Sequence, residues 1–289
     1  LYSCSNSDDN SIPVNPDEKY LDGFFVSNEG NFTKANASTS HISGGLSAIT
    51  NDIFRTSNGR GLGDVSQHMV VTDKYVFVVM NNSNTIEVVN KKTFKSVHTI
   101  SQNLNSPRYA VIKNNKLYVT SLNDKSVNVY NAETFAFVKE IELNNTAEQI
   151  VAAGEYIYAA NGFYSGGTAV EVINPTNDTN TTDITFESAI NGITTNGQFV
   201  YVLGSTDASS SISIVSNTTI SSTKELAQAN SRNIVNDGSN IYYTAGTGIY
   251  KMNNSLASAS TKLLDVVAGD EYSVLYGFNV INGTNFTSD

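Results

Sequence analysis

The chain has one cysteine, Cys4, and only three histidines among 289 residues. A single thiol excludes an intramolecular disulfide, and no two histidines have the spacing of a metal-ligand pair. No run of about eighteen apolar residues occurs, so no segment is long enough to cross a membrane as a helix. Basic residues are scarce: 17 Lys and Arg against 27 Asp and Glu give a net charge of −10. Nucleic acid is therefore not an expected partner, because like charges repel.

The residue patterns of catalytic and metal sites are also missing. His98 falls in an outer strand, His41 in the first repeat, and His68 is expected to point between sheets. These positions suggest no Ser–His–carboxylate set. The segment 178–183 alternates oxygen-bearing residues, but it lacks the glycine and the terminal glutamate of an EF-hand loop, so a hairpin tip is expected. The sequence predicts a protein that is not an enzyme and has no metal or cofactor.

What the chain does contain is an aromatic residue inside a short β-like run, repeated seven times. Successive members are 40 to 44 residues apart, except for the first gap of 52. A period in this range, with strand-like segments inside each unit, is typical of four-stranded propeller blades. The seven residues are Phe25, Phe77, Tyr118, Tyr158, Tyr201, Tyr242 and Phe286.

Each repeat reads as an inner strand, a tight turn, the aromatic strand, a third strand and a weaker outer strand. Turn pairs such as Asn196-Gly197 and Asp237-Gly238 tolerate the positive φ angles that hairpins need. The first repeat opens on its aromatic strand, and the last stops soon after Phe286. The sequence therefore predicts an all-β, seven-bladed β-propeller of four-stranded antiparallel blades over residues 20–289. Its last blade is incomplete in this chain, and roughly 35 to 45 further residues are expected to complete it.

Residues 1–19 read as a flexible polar tether. The segment Leu1-Tyr2-Ser3-Cys4 resembles a bacterial lipobox, although Tyr2 is atypical at its position. The polar, acidic run over residues 5–10 resembles the export tag of surface lipoproteins in the Bacteroidetes. This resemblance implies lipidation of Cys4 and a lipid-anchored, cell-surface location on the outer membrane. The alternative is a terminal cysteine without a role.

The repeats also resemble a known family. Similarity to the YncE-like seven-bladed propellers is carried by segments 106–109, 116–120 and 126–131. A subset found on Bacteroidetes cell surfaces is similar in segments 26–32, 58–67 and 276–283. That subset includes the BtuG-type lipoproteins, which capture cobalamin outside the cell and pass it to a TonB-dependent transporter. No residue set in this chain identifies a corrinoid.

A candidate binding site follows from aligning the repeats on their aromatic residues. The position ten residues earlier is polar or hydroxylated in every repeat that can be aligned, whereas a position packed between sheets would be apolar. Two arginines opposite a glutamate and amides can hold a polar ligand. The alternative is a solvated channel mouth whose arginines are neutralised locally. This inner-strand set is Gln67, Arg108, Glu148, Asn191, Arg232 and Tyr276.

Loops after the aromatic strands supply further candidates. Asn28 and Asn161 follow two of these strands, and the glycine-rich loop after Asn161 carries Phe163 and Tyr164. Exposed aromatic side chains are surfaces on which flat ligands stack. The alternative is that Phe163 and Tyr164 cover a sheet edge.

Taken with the resemblance, these features predict a cell-surface lipoprotein without catalytic activity. It is expected to capture a small ligand, cobalamin in the first instance, for an outer-membrane TonB-dependent transporter. The alternative is a non-catalytic accessory or scaffold subunit of an outer-membrane complex. A third interpretation, a calcium-dependent hydrolase, would require clustered carboxylates. Contact with the membrane is expected through the lipid anchor only.

Overall fold

The computed structural model describes residues 18–162, 166–265, 277–281 and 284–288. Cys4, Phe163, Tyr164 and Tyr276 lie outside these ranges, so the predictions for them stay predictions. The chain forms two compact units, Leu1–Ile100 and Ser101–Asp289. Nearly all regular structure in the described residues is β-strand, which confirms the all-β class. None of the described helices is both long and apolar enough to cross a membrane.

The first unit contains two antiparallel sheets. The first sheet has three strands, β1 (Phe24–Asn28), β2 (Ser38–Ile42) and β3 (Ile49–Thr50). A six-residue helix, α1 (Ile53–Asn58), follows it. The second sheet has four strands, β4 (Ser66–Val71), β5 (Tyr75–Met80), β6 (Thr85–Asn90) and β7 (Ser96–Ile100).

Helix α1 was not predicted from the sequence. Its first two residues, Ile53 and Phe54, are fully buried, and they pack in one apolar cluster with Val76 and Val78 of β5. Six residues span fewer than two helical turns, so a 3.6-residue apolar period has no room to show. Burial of two adjacent side chains, rather than helix propensity, holds this helix in place.

The second unit contains four four-stranded antiparallel sheets and a hairpin. The first of these sheets consists of β8 (Pro107–Lys113), β9 (Lys116–Ser121), β10 (Ser126–Asn131) and β11 (Phe137–Glu142). The second consists of β12 (Ala147–Ala153), β13 (Tyr156–Asn161), β14 (Ala169–Asn174) and β15 (Thr179–Thr185). The next two are β16 (Ile190–Thr195), β17 (Val200–Ser205), β18 (Ser210–Ser216), β19 (Thr219–Glu225) and β20 (Ser231–Asn236), β21 (Asn240–Ala245), β22 (Gly248–Asn253), β23 (Thr261–Asp265). The hairpin is β24 (Gly277–Ile281) and β25 (Thr284–Ser288).

The prediction of seven four-stranded blades is wrong. The described residues form six blade-like sheets, five with four strands and the first with three, followed by a two-stranded hairpin. All seven aromatic residues do lie in strands, and the first sheet does begin on its aromatic strand, β1. The predicted number of blades is too high because each aromatic residue indicates a single strand, and a single strand does not establish a whole sheet. The strand of Phe286, β25, pairs with β24 alone among the described strands.

In the second unit the sheets pack face to face. The first strands β8, β12, β16, β20 and β24 lie next to one another in chain order. Apolar residues of one sheet meet those of the next; Val170 and Val172 of β14, for example, share a cluster with Val200 and Val202 of β17. Each such side chain contributes about 1.5–3 kcal/mol when fully buried. This stacking is typical of propeller blades.

The tyrosines of the repeat also join neighbouring sheets. Tyr118 donates its hydroxyl hydrogen to Asp178 Oδ1 at 2.6 Å, and Lys116 Nζ lies 2.6 Å from Asp178 Oδ2. Burial and this hydrogen bond raise the pKa of Tyr118 above its ordinary value. Asp178 lies in the turn between β14 and β15, as the hairpin prediction required, and the rest of segment 178–183 begins β15.

The predicted tight turns are also present. Gly197 and Gly238 have φ angles of 92° and 95°, values that favour glycine. Asp237 Oδ1 accepts the backbone N–H groups of Ser239 and Asn240. Burial alone would raise the pKa of Asp237, but hydrogen bonds from Tyr242 and from these groups outweigh it and lower the pKa to about 2.

Candidate functional site

A cavity of about 250 Å³ opens in the second unit, at the beginning of four first strands. Each of these strands contributes its second residue to the lining. Four of the six members of the inner-strand set therefore line one cavity: Arg108 of β8, Glu148 of β12, Asn191 of β16 and Arg232 of β20. The sequence alignment of the repeats thus brought together residues that are about forty positions apart in the chain.

The remaining predicted residues have other positions. Gln67 lies on β4 of the first unit. Asn28, also in the first unit, donates its Nδ2 hydrogens to Ser38 Oγ at 3.1 Å and Ser40 Oγ at 3.0 Å. Asn161 does line the cavity, and its Nδ2 donates to Glu171 Oε1 at 2.8 Å.

A β-bulge lies at the predicted position in four of the five four-stranded sheets, and directly after it, at Asn233, in the sheet that begins with β20. The first strand carries one extra residue there relative to the aromatic strand. In β16, for example, Ile190 and Gly192 pair with consecutive residues of β17, so Asn191 is the extra residue. A bulge breaks the alternation of a strand and re-aims a side chain. In strands of six or seven residues, one such break is hard to tell from an ordinary exception to the alternation, and the sequence analysis missed it.

Two buried threonines hold the bulges that carry the arginines. Thr120 Oγ1 donates to the carbonyl oxygen of Glu148 at 2.7 Å and accepts the N–H of Tyr109 at 3.0 Å. Thr244 Oγ1 donates to the carbonyl oxygen of Arg232 at 3.0 Å. Both threonines lie two residues after a repeat tyrosine, so aligned repeats carry a signal for them. Sequence reasoning did not use it.

The charges of the cavity are partly paired. Arg108 Nε lies 2.7 Å from Glu148 Oε2, and the two side chains are 15% and 13% exposed. The other oxygen, Glu148 Oε1, is buried and has no hydrogen-bond partner among the described residues. Arg232 is exposed, and the described part of the chain offers its side chain no ion pair. One carboxylate and two guanidinium groups therefore face a single cavity.

A second unpaired acceptor lies on the neighbouring strand. Asn191 Nδ2 donates to the carbonyl oxygen of Ser231 at 3.1 Å, which orients the amide. Its oxygen, Asn191 Oδ1, is buried and is also without a partner in the ranges that the structure covers. Buried polar atoms in proteins nearly always have a partner, and leaving one unpaired costs about 1–3 kcal/mol. Two acceptors in one cavity therefore have room for a hydrogen-bond donor from outside the described residues.

Gly192 keeps the cavity open between β16 and β20. A Cβ atom at this position would lie 3.0 Å from Ile234 Cγ2 and 3.4 Å from Gln149 Oε1. Gln149 Oε1 in turn accepts the N–H of Ile193 at 2.7 Å, which links β12 to β16. A side chain at residue 192 would therefore require Ile234 or Gln149 to shift by a few tenths of an ångström.

The sequence as a whole matches a described family. Residues 22–280 match a family model described as "Domain of unknown function (DUF5074)". The chain belongs to the DUF5074 family. The cavity lies within the matched residues, so it is part of the DUF5074 domain. No curated protein matches the chain.

Solved structures show the fold of this DUF5074 domain. It is similar to hydrazine synthase of Kuenenia stuttgartiensis, with a TM-score of 0.59 and 14% identity over 70% of this chain and 69% of that one. For the WD40 domain of Neurospora crassa Pan2 the TM-score is 0.56 and the identity 12%, over 68% of this chain and 64% of that one. For the computationally designed Ika8 protein the TM-score is 0.63 and the identity 9%, over 91% of this chain and 77% of that one. WD40 domains are β-propellers. At these identities the similarity shows the fold alone, which is β-propeller-like.

Proposed function

We propose that this DUF5074 domain is a non-catalytic capture protein that binds a small polar ligand in the cavity of the second unit. The observation that carries the proposal is a pair of buried acceptors, Glu148 Oε1 and Asn191 Oδ1, to which no described residue donates a hydrogen bond. Both atoms belong to residues that line the cavity together with Arg108 and Arg232. A ligand with hydrogen-bond donors would relieve the cost of leaving them unpaired.

Local charge supports binding rather than repulsion of an anionic group. The chain carries a net charge of −10, but the charged residues in the described lining of the cavity are Arg108, Glu148 and Arg232. Their sum is one positive charge. Arginine holds carboxylates and phosphates through two parallel hydrogen bonds, so Arg232 offers a specific anion contact at the cavity.

The chemistry of the lining supports binding without catalysis. Glu148 is the one carboxylate among the described residues of the cavity, and it is paired with Arg108. The same lining contains no serine, cysteine, lysine or histidine. Hydrolysis by two carboxylates or by an activated nucleophile requires groups that this set does not supply.

The size of the cavity favours a small ligand over a whole corrinoid. Sites that enclose a drug-sized molecule usually measure about 300–1,000 Å³, and this cavity measures about 250 Å³. Similarity to the YncE-like and BtuG-type propellers, lipidation of Cys4 and delivery to an outer-membrane transporter stay predictions, supported by the sequence segments that suggested them.

Enrichment of ligands from natural mixtures tests the proposal. The purified chain and its Glu148→Gln/Arg232→Ala variant are dialysed against small-molecule extracts of bacterial culture medium, washed, denatured and analysed by mass spectrometry. We expect at least one compound to be enriched by the unmodified chain and not by the variant. Arg55→Ala, which removes an exposed arginine from the first unit, is the matched control and should retain the compound. Equal recovery from all three proteins would contradict capture at this cavity.

An accessory role is the second candidate because large apolar side chains are exposed in the first sheet, at Ile49, and in the segments beside its first strand, at Leu21 and Phe32. Leu21, Phe32 and Ile49 are 54%, 67% and 66% exposed. A docking surface of this kind would bind another outer-membrane protein without using the cavity. Cross-linking in cells distinguishes the two functions: docking predicts a product that Phe32→Ser/Ile49→Ser abolishes and Arg232→Ala leaves intact.

A further inference from the structure

We propose that the ligand of the cavity is a small zwitterion, with an ammonium group at one end and a carboxylate at the other. Amino acids and short peptides belong to this class. The inference rests on the proposed capture function and names the chemical class that the lining selects. It follows from the order in which the four strands present their side chains: Arg108, Glu148, Asn191 and Arg232.

The middle of this row selects a group with several donors. Glu148 Oε2 is occupied by Arg108, whereas Glu148 Oε1 and Asn191 Oδ1, on the adjacent strands β12 and β16, accept no hydrogen bond from the part of the chain that the structure describes. A hydroxyl group has one hydrogen to donate and would leave one of the two oxygens unpaired. An ammonium group has three, and its bond to a carboxylate is charge-assisted. The two acceptors therefore favour an ammonium group.

The end of the row selects an anion. Arg232 lies on β20, next to β16, and presents an exposed guanidinium without an ion pair among the described residues. Arg108 is neutralised by Glu148, so Arg232 carries the excess positive charge of the lining. A ligand with an ammonium group alone would be repelled by Arg232. A ligand with a carboxylate alone would leave Glu148 Oε1 and Asn191 Oδ1 unpaired.

Calorimetric titration of the full chain with matched probes tests the assignment. The zwitterions glycine, β-alanine, γ-aminobutyrate and glycylglycine vary the distance between the two charged groups. Each is compared with its N-acetyl derivative, which lacks the ammonium group, and with its amide, which lacks the carboxylate. Succinamate replaces the ammonium group by a neutral amide with two donors. We expect at least one zwitterion to bind, and its blocked forms to bind at least tenfold more weakly.

Variants assign each end of the ligand. Arg232→Ala should remove the preference for the zwitterion over its amide and keep the preference over its N-acetyl derivative. Asn191→Ala and Glu148→Gln should each remove the preference over the N-acetyl derivative and keep the preference over the amide. Because two variants test the ammonium end, the result stands even if one of them fails to fold. Arg55→Ala should bind as the unmodified chain does.

The outcomes separate this inference from the proposed function. Equal binding of a zwitterion and a blocked form, both lost in Arg232→Ala, overturns the zwitterion assignment and leaves capture in place. If no probe binds while the extract experiment enriches a compound, the ligand class is wrong and the function stands. If no probe binds and no compound is enriched, both proposals fail.

Discussion

Two glutamates of the second unit, Glu171 and Glu148, have opposite surroundings. Glu171 of β14 is fully buried, and each of its carboxylate oxygens accepts two hydrogen bonds. Oε1 accepts from the backbone N–H of Asn145 and the side-chain amide of Asn161. Oε2 accepts from the backbone N–H of Asn144 and the side-chain amide of Asn180. Among the described residues, Glu148 has one partner, Arg108, and one oxygen without a hydrogen bond. A satisfied buried carboxylate organises the loops around it, whereas an unsatisfied one at a cavity is available to a ligand.

The largest expected effect tests this contrast through stability. Glu171→Gln places an amide group against four donors and should lower the free energy of unfolding by roughly 2–4 kcal/mol. Glu148→Gln keeps an acceptor for Arg108 at a solvent-open cavity and should cost less than about 1 kcal/mol. Urea unfolding of both variants measures the difference. Equal losses would show that the two glutamates have the same structural role.

A half-buried histidine, His68, extends the comparison to the first unit. Burial lowers the pKa of His68 from 6.5 to about 4, and burial also lowers the pKa of His41. Between pH 6.5 and 4 the unfolded chain binds a proton that folded His68 does not, so stability falls as the pH falls through this window. The loss from His68 should reach about 3 kcal/mol at pH 4.

Unfolding of the first unit at pH 7, 5.5 and 4 measures this dependence. His68→Gln should flatten the profile, because the titrating group is gone. His98→Gln, which changes an exposed histidine on β7, should leave the slope unchanged. A profile that is the same in all three proteins would rule out His68 as its source.

The smallest expected effect concerns the support of the cavity. Thr120→Val removes the hydroxyl that bridges Tyr109 and Glu148, and should cost about 1–2 kcal/mol. It should also weaken ligand binding severalfold, because the bulge that carries Arg108 loses its anchor. Thr134→Val, at an exposed turn, is the control for both measurements. Unchanged binding in Thr120→Val would show that the bulge holds its shape without the hydroxyl.

Much of the candidate site was predictable once the repeats were aligned. The spacing from each aromatic residue located Arg108, Glu148, Asn191 and Arg232, because equivalent positions in stacked sheets lie close together in space. The same alignment could have identified Thr120 and Thr244, because each lies two residues after a repeat tyrosine. The number of sheets was not predictable in this way, because β25 carries the repeated aromatic residue but pairs with β24 alone among the described strands.

By itself the sequence determined the all-β class, the tight turns and the positions of the aromatic strands. These features depend on local alternation and on residues such as Gly197 and Gly238 that permit positive φ. Only the tertiary structure decided the rest: the six blade-like sheets, helix α1 and the bulges. It also decided the ion pair that occupies one oxygen of Glu148 and leaves the other without a partner among the described residues. These depend on which side chains meet across neighbouring sheets, and a distance between atoms forty residues apart is not encoded in any local pattern.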